Sequence, residues 1–388
     1  MEPKIRFKGF EGEWKKVKLG NVCSVNRGTR ITKKELNTNH SYPVYQNTNY
    51  PLGYYKNYNV EANNPYVIIG GSAGLIGFSN VPFWAADDCA YFGDNDSLDK
   101  TFLYSTLLFH IAEIKRNVRG SSVPRLDRST LIDLEINLPS FSEQQFIATY
   151  FRTLDNKIQT TSKKLASLKK LKSASLVTMF PQNGESTPKV RFKGFEGEWK
   201  ETTLSECLDI SYLQNSENKY DKNDVLSVSD DFGVMNQIEL LGRSYAGKDV
   251  SSYSILQKGE IVYTKSPLKD KPFGIIKKNS YQTGIVSILY AVYHSKDNIS
   301  ADYIHYYFDP AWRLNAYMRP LVNKGAKNTM NISDEMALMG SLILPPSLAE
   351  QQAIATFFRS LDRKIALETA RLEKLKQIKL ACLDKMFV

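Results

Sequence analysis

Several places in this sequence bring together residue types that could do chemistry, and each lacks a partner that the chemistry needs. Asn63-Asn64-Pro65-Tyr66 approaches the Asn/Asp-Pro-Pro-aromatic loop that grips an extruded adenine for methylation. It has one proline only, and no Gly-x-Gly turn follows a buried strand to hold a methyl donor, so it reads as a turn into a strand. Gly242 to Asp249 approaches a phosphate-binding loop, yet Asp249 stands where Ser or Thr must hold Mg²⁺ and would set a carboxylate beside the phosphates. A basic loop touching a phosphodiester suits it better. Asp94-x-Asp96 and Asp99-Lys100 hint at a metal nuclease but lack the strands that would aim two acids at one ion, so a solvated loop is the simpler reading. His40, His110, His294 and His305 form no His-Glu-x-x-His and no spaced ligand set. Cys23, Cys89, Cys207 and Cys382 form no Cys-x-x-Cys pair, which suits a reducing compartment and argues against structural zinc. No catalytic residue and no metal ligand is assigned.

The chain's organisation is more informative. Its 388 residues carry 51 Lys and Arg against 41 Asp and Glu, a net charge of +10. With 42% hydrophobic and 24% charged residues the composition is that of a globular protein, which excludes a disordered chain. No apolar run approaches the ~20 residues of a membrane span. The start, Met1-Glu2-Pro3-Lys4, lacks the apolar core of a signal peptide. A soluble, cytoplasmic, basic protein is expected, with a polyanion as the first partner to consider.

A tandem repeat organises the chain. PKIRFKGFEGEWKK at 3–16 returns as PKVRFKGFEGEWKE at 188–201, so that Trp14 recurs 185 residues later as Trp199. SFSEQQFIATYFRTLDNKI at 140–158 returns as SLAEQQAIATFFRSLDRKI at 347–365, an offset of 207. The intervening stretches share almost nothing beyond Gly120–Pro139 against Gly325–Pro345. Near-identical frames thus carry dissimilar inserts. In the lead segments Phe7, Phe10 and Trp14, with Phe192, Phe195 and Trp199, read as packing residues.

Both helical blocks open on Ser-x-x-Glu, a capping box at Ser140/Glu143 and Ser347/Glu350. Ile147, Phe151, Leu154, Ile158, Leu165 and Leu168 follow at heptad spacing across a polar step at Thr161. Ile354, Phe358, Leu361, Ile365, Leu372 and Leu375 copy them across Glu368. Each helix should be roughly 55–60 Å long. Pairing the two seams with each other, antiparallel about an internal pseudo-two-fold axis, keeps both out of water. The alternative is an ordinary amphipathic helix packed on its own domain.

The inserts mix β-like runs (Pro65–Ile69, Val81–Trp84, Val225–Val228, Glu260–Tyr263, Thr283–Tyr290) with short helices at Leu103–Lys115 and Tyr303–Tyr317. The expected fold class is α+β: two mixed α/β domains joined by two long antiparallel coiled-coil helices. Residues 1–139 form the first domain, 140–184 a central helical spacer, 185–346 the second domain and 347–388 a C-terminal helical spacer.

The doubled R-F-x-G-F-x-G-x-W segments and the doubled P-S-x-x-E-Q-x-x-I-A helices resemble the specificity subunits of type I restriction–modification systems over the whole chain. The resemblance implies a subunit without catalytic activity, whose two target-recognition domains each read one half of a split double-stranded DNA site. It implies that the helices set the gap and dock two modification subunits that methylate adenine with S-adenosylmethionine. Restriction subunits, two where present, would add ATP-driven translocation and Mg²⁺-dependent cleavage. Those cofactors belong to the partners, and none is expected on this chain. One extra helical turn (~4 residues) near Ser173 should then lengthen the gap by about a base pair. The alternatives are a fused methyltransferase or nuclease with an unrecognised active site, and a helix-pair adaptor without DNA affinity.

For DNA contact the first insert offers a flexible basic loop with Arg27, Thr29, Arg30 and Lys33, the amides of Gln46 and Asn47, Ser72 in a glycine-rich turn, and Arg119, Ser121 and Arg125. The second offers Arg243, Lys248, Lys265, Ser266, Lys269, Lys271, Lys324, Lys327 and Asn328.

Overall fold

The computed structural model describes residues 2–182, 184–268, 271–324 and 330–388. Contacts divide the chain into two units: Met1–Lys164 with Glu368–Val388, and Leu165–Leu367. The four sequence segments are therefore grouped differently in space, because each long helix is shared between units.

In the first unit, Asn63 takes a left-handed φ of 58° and turns the chain into a fully buried strand, as its sequence suggested. The head is a four-stranded antiparallel sheet of β1 (Val25–Arg27), β2 (Asn64–Ile68), β3 (Ile76–Ser79) and β4 (Cys89–Phe92), in the order β1-β4-β2-β3. Helix α1 (Lys100–Phe109) packs on β2 and buries Phe102, Leu103 and Leu107. Asp99 caps α1 by accepting the amides of Thr101 and Phe102, so this acid belongs to a helix start. The head of the second unit repeats the design with β5 (Leu208–Ile210), β6 (Ile261–Thr264), β7 (Ile276–Lys278) and β8 (Tyr290–Ser295), in the order β5-β8-β6-β7. Its helix α3 (Ala301–Phe308) packs on β7.

Several expected elements are shorter than the sequence suggested. The helix expected at 103–115 is two helices meeting at His110. The one at 303–317 divides at Asp309-Pro310, because proline has no amide to continue the ladder. The run 283–290 breaks into Gly284–Val286 and the start of β8 around a turn at Ser287–Leu289. Of 81–84 only Trp84 enters a strand, Trp84–Ala85. The basic loop after Arg27 is ordered by a 3₁₀ turn at Lys33–Glu35, with Thr32 and Glu35 forming its capping box.

The long helices are α2 (Phe141–Thr178) and α4 (Leu348–Met386), 38 and 39 residues. Ser140 Oγ and Ser347 Oγ accept the amides of Glu143 and Glu350 at 3.3 and 3.2 Å, the serine half of each capping box. The glutamates do something else. Glu143 is gripped by Arg6 through two 2.8 Å bonds, and Glu350 by Arg191 at 2.7 and 2.8 Å. Both carboxylates are almost sealed from water, at 2% and 1% exposure. The lead segments therefore supply a counter-charge to the helix starts as well as packing.

In the first unit, Tyr150 meets Cys382 at 3.2 Å, Lys379 bonds Asp155 at 2.6 Å, and Lys164 pairs with Glu368 at 2.5 Å. Numbers rise on α2 as they fall on α4, so these segments run antiparallel. In the second unit Lys172 bonds Asp362 at 2.8 Å and Phe180 stacks on Phe358 with centroids 5.9 Å apart. These repeat Lys379–Asp155 and Phe387–Phe151 at the 207-residue offset. Ile147, Phe151, Leu154, Ile354, Phe358, Leu361 and Leu372 are buried, while Ile158, Leu165, Leu168, Ile365 and Leu375 are half-buried. Ile147 and Phe151 also belong to the core of the first head, so the helix base packs on its own domain as well.

Phe387 sits among Trp14, Phe102, Phe109 and Phe151 with ring centroids 5.5–6.2 Å away. Replacing it with Ala should cost about 3–5 kcal/mol, as for other buried aromatic truncations. Urea unfolding of the variant measures this, and a loss below ~1 kcal/mol would contradict the packing described.

A charged network lies inside the second unit. Asp309 bonds Lys277 at 2.8 Å and Lys172 at 3.1 Å, while Asp230 pairs with Lys271 at 2.6 Å and Lys277 at 3.3 Å. Beside it His305 Nδ1 is sealed from water and meets no partner among the described residues. Burial, and then the charge of Lys277, push this imidazole down to about 4 against the opposing pull of Asp309. The unfolded chain takes a proton near pH 6.5 that the native state refuses. Stability from this group is thus intact above pH 6.5 and falls as pH drops towards 4, by ~3 kcal/mol in all. Urea midpoints at pH 7 and pH 5 should show a smaller acid loss in His305→Gln than in the parent; equal losses would contradict it.

Candidate nucleic-acid interface

At one end of the first head, the end of β1, the turn before β4 and the chain from Arg119 to Arg128 converge. Arg27 closes β1 and donates through Nε to the Asp87 carbonyl at 2.6 Å. Gly28 follows because a Cβ there would lie 2.2 Å from the Ala85 and Ala86 carbonyls. A tight turn, Cys89 N–H to Ala86 O at 2.9 Å, presents Asp87 and Asp88. Ile69 N–H bonds the Asp88 carbonyl at 2.8 Å, tying this turn to the end of β2. Arg119 and Arg125 exchange backbone bonds of 2.8 and 2.7 Å and close an exposed loop with Ser121, Ser122 and Val123.

These elements enclose an open groove of about 530 Å³, lined by Arg27, Arg119, Arg125 and Arg128 with Asp88 and Asp127. Asp127 is engaged as the cap of helix Arg128–Ile132, accepting from Ser129 N–H and Oγ at 2.9 Å. Four guanidiniums against two acids leave a positive groove whose forked donors match phosphate oxygens. Gln46 leans on Asp87 at 3.4 Å, and Asn47 O accepts from Ser72 N–H at 3.0 Å, so all three rim the same turn. Arg27, Gln46, Asn47, Ser72, Arg119, Ser121 and Arg125 are thus brought together. Thr29, Arg30 and Lys33 are exposed on the segment that runs on past Ala85.

The second head is less uniformly basic at the expected places. Arg243 stacks over Tyr245 at 4.5 Å and both are exposed, as is Lys248. Lys265, beside half-buried Ser266, is paired with Asp334 at 2.8 Å. Lys271 is only 8% exposed, and its amine bonds Asp230 and the Asp309 carbonyl, so its charge serves the interior of the unit. Lys324 is described by its backbone, which pairs with Met330. Lys269, Lys327 and Asn328 lie outside the described residues.

Sequence reasoning missed Asp88 and Arg128. Arg128 stands three residues beyond Arg125, a spacing that could have drawn notice. Asp88 carried no signal, since a lone acid does not stand out until its arginine neighbours are known. Among the described residues no group of three His, Cys, Asp or Glu side chains could hold a metal ion, and no helix is long and apolar enough to cross a membrane. Cys23, Cys89 and Cys207 are buried thiols whose pKa values burial pushes up.

The family model for the type I restriction modification DNA specificity domain matches twice, over residues 11–170 and 196–377. The chain belongs to this family of type I specificity subunits. The MjaVIII specificity subunit of Methanocaldococcus jannaschii is 22% identical over 396 residues, covering 95% of this chain and 90% of that protein. The EcoDI specificity subunit of Escherichia coli is 36% identical over 94 residues, 23% of this chain and 21% of its own. A crystal structure of the type I S subunit from M. genitalium superposes with a TM-score of 0.71 at 17% identity, covering 100% of this chain and 99% of that one. That likeness establishes a shared fold: two domains of mixed helix and sheet. The fused-enzyme alternative gains no support from these matches, whose members are type I specificity subunits.

Proposed function

We propose that this chain is the non-catalytic, sequence-reading subunit of a type I restriction–modification complex. Each head reads one half of a split double-stranded DNA site in the cytoplasm. The paired long helices, an antiparallel coiled coil about a pseudo-two-fold axis, set the gap between the halves and dock two modification subunits. S-adenosylmethionine is used by those partners, and ATP and Mg²⁺ by restriction subunits where a system includes them. The observation that carries this reading is the recurrence of one sheet order and one helix-start design in both units, each bearing a different surface. Phosphate contacts by the arginine groove would supply affinity, and base-edge contacts the specificity.

Co-expression with the modification subunits in a host free of adenine methylation tests it. Mapping the methylated adenines should yield one motif in two parts with a fixed unread gap. Methyl transfer by the isolated chain with S-adenosylmethionine would favour the fused enzyme. Failure of the assembled complex to shift duplex DNA would favour the adaptor.

A further inference from the structure

The turn that presents Asp88 has a counterpart in the second head. Cys89 N–H bonds Ala86 O at 2.9 Å, and Tyr290 N–H bonds Ser287 O at 2.9 Å. Ile69 N–H bonds Asp88 O at 2.8 Å, and Lys265 N–H bonds Leu289 O at 3.1 Å. The backbone pairing of Arg119 with Arg125 in the first head is matched by that of Lys324 with Met330 in the second. At equivalent backbone positions, then, the first head carries Asp87-Asp88 and the second Ile288-Leu289. The latter are 62% and 57% exposed, two large aliphatic side chains set in water at a turn that has no packing use for them.

Asp88 is as unusual in its own setting. Its carboxylate lies in a groove of arginines, yet its nearest guanidinium, Arg125, is 3.7 Å away, beyond a hydrogen bond. The backbone makes room for it, because a Cβ on Gly70 would come within 2.3 Å of its Oδ1. An anion there repels phosphate, so its use is as an acceptor for a donor on the DNA. In the major groove that donor, lying beside the acceptors an arginine reads, is the cytosine N4 amine next to guanine O6 and N7. An aliphatic pair at the same position has one base feature to meet, the thymine methyl group.

We propose that this turn is the base-reading element of both heads: Asp88 with Arg125 reads a C·G pair in one half-site, and Ile288-Leu289 reads a thymine in the other. The proposal rests on the DNA-reading function above and goes beyond it by assigning bases to residues.

The test is adenine-methylation mapping on the host genome by the complex with its modification subunits, carrying the parent chain, Asp88→Asn, or Ile288→Ser with Leu289→Ser. Asp88→Asn should relax one C·G position in one half-site, with discrimination there falling roughly 10–100-fold, and leave the other half unchanged. The double serine variant should relax a T·A position in the opposite half only. The untouched half-site reports folding in each case. An unchanged motif, an even loss over all positions, or a parent motif whose first half has no C·G pair would overturn the assignment. If the parent complex itself yields no two-part motif, the function proposed above has failed instead.

Discussion

Inserting one heptad into each long helix, between Lys164 and Leu165 and between Leu367 and Glu368, should move the two methylated half-sites apart by about three base pairs. Seven residues add ~10.5 Å of helix, against ~3.4 Å per base-pair step of B-DNA. A heptad also keeps each seam in phase with its partner, where other lengths rotate it away. The insertion points follow from the division of the chain into Met1–Lys164 with Glu368–Val388 and Leu165–Leu367, since both fall between units and disturb neither interior. The single turn near Ser173 suggested by the sequence is a poorer choice. It falls between Lys172, bonded to Asp309 and Asp362, and Phe180, stacked on Phe358. Four residues there would swing Phe180 by ~40° and break the second unit. Methylation mapping should show the original motif lost and a motif with the same halves and a wider gap in its place. An unchanged gap would end the idea that the helices set it.

Arg191→Ala should lower the unfolding free energy by about 3–5 kcal/mol, because it strands the Glu350 carboxylate, 1% exposed, without its counter-charge. Arg6→Ala should do the same through Glu143, 2% exposed. Removing both members, as in Arg191→Met with Glu350→Leu, should cost less than Arg191→Ala alone, since no buried charge then remains. Guanidinium unfolding of the three proteins decides it. A single variant within ~1 kcal/mol of the parent, or a double variant that loses as much as Arg191→Ala, would contradict the pairing.

Much of the frame was legible from the duplicated segments because a repeated apolar pattern has few physical solutions. The seam from Ile147 to Leu168 had to be covered, and the strand at Asn64–Ile68 announced itself by a β-branched run after an Asn turn. The failures share a cause, which is that polar side chains choose partners far away in sequence. Ser-x-x-Glu can close on itself or offer its carboxylate elsewhere, and here Arg6 lies 137 residues from Glu143. Lys271 looked like a free surface charge until Asp230 and Asp309 came beside it. At the candidate interface the arginines of the first head were visible as types. Asp88, and the exposed Ile288 and Leu289, acquire meaning only when the two turns are compared hydrogen bond by hydrogen bond.

The unit that spans Leu165–Leu367 is one continuous stretch, whereas the other needs Glu368–Val388 to fill its core with Leu383, Met386 and Phe387. On the ribosome this reverses the usual N-to-C order of domain completion. The earlier-made head must wait, its aromatic pocket around Trp14 and Phe102 open, until the far end of α4 has been translated. Stalled or nicked chains lacking that helix end would retain a finished second head beside an unfinished first, a distinction a protease can read.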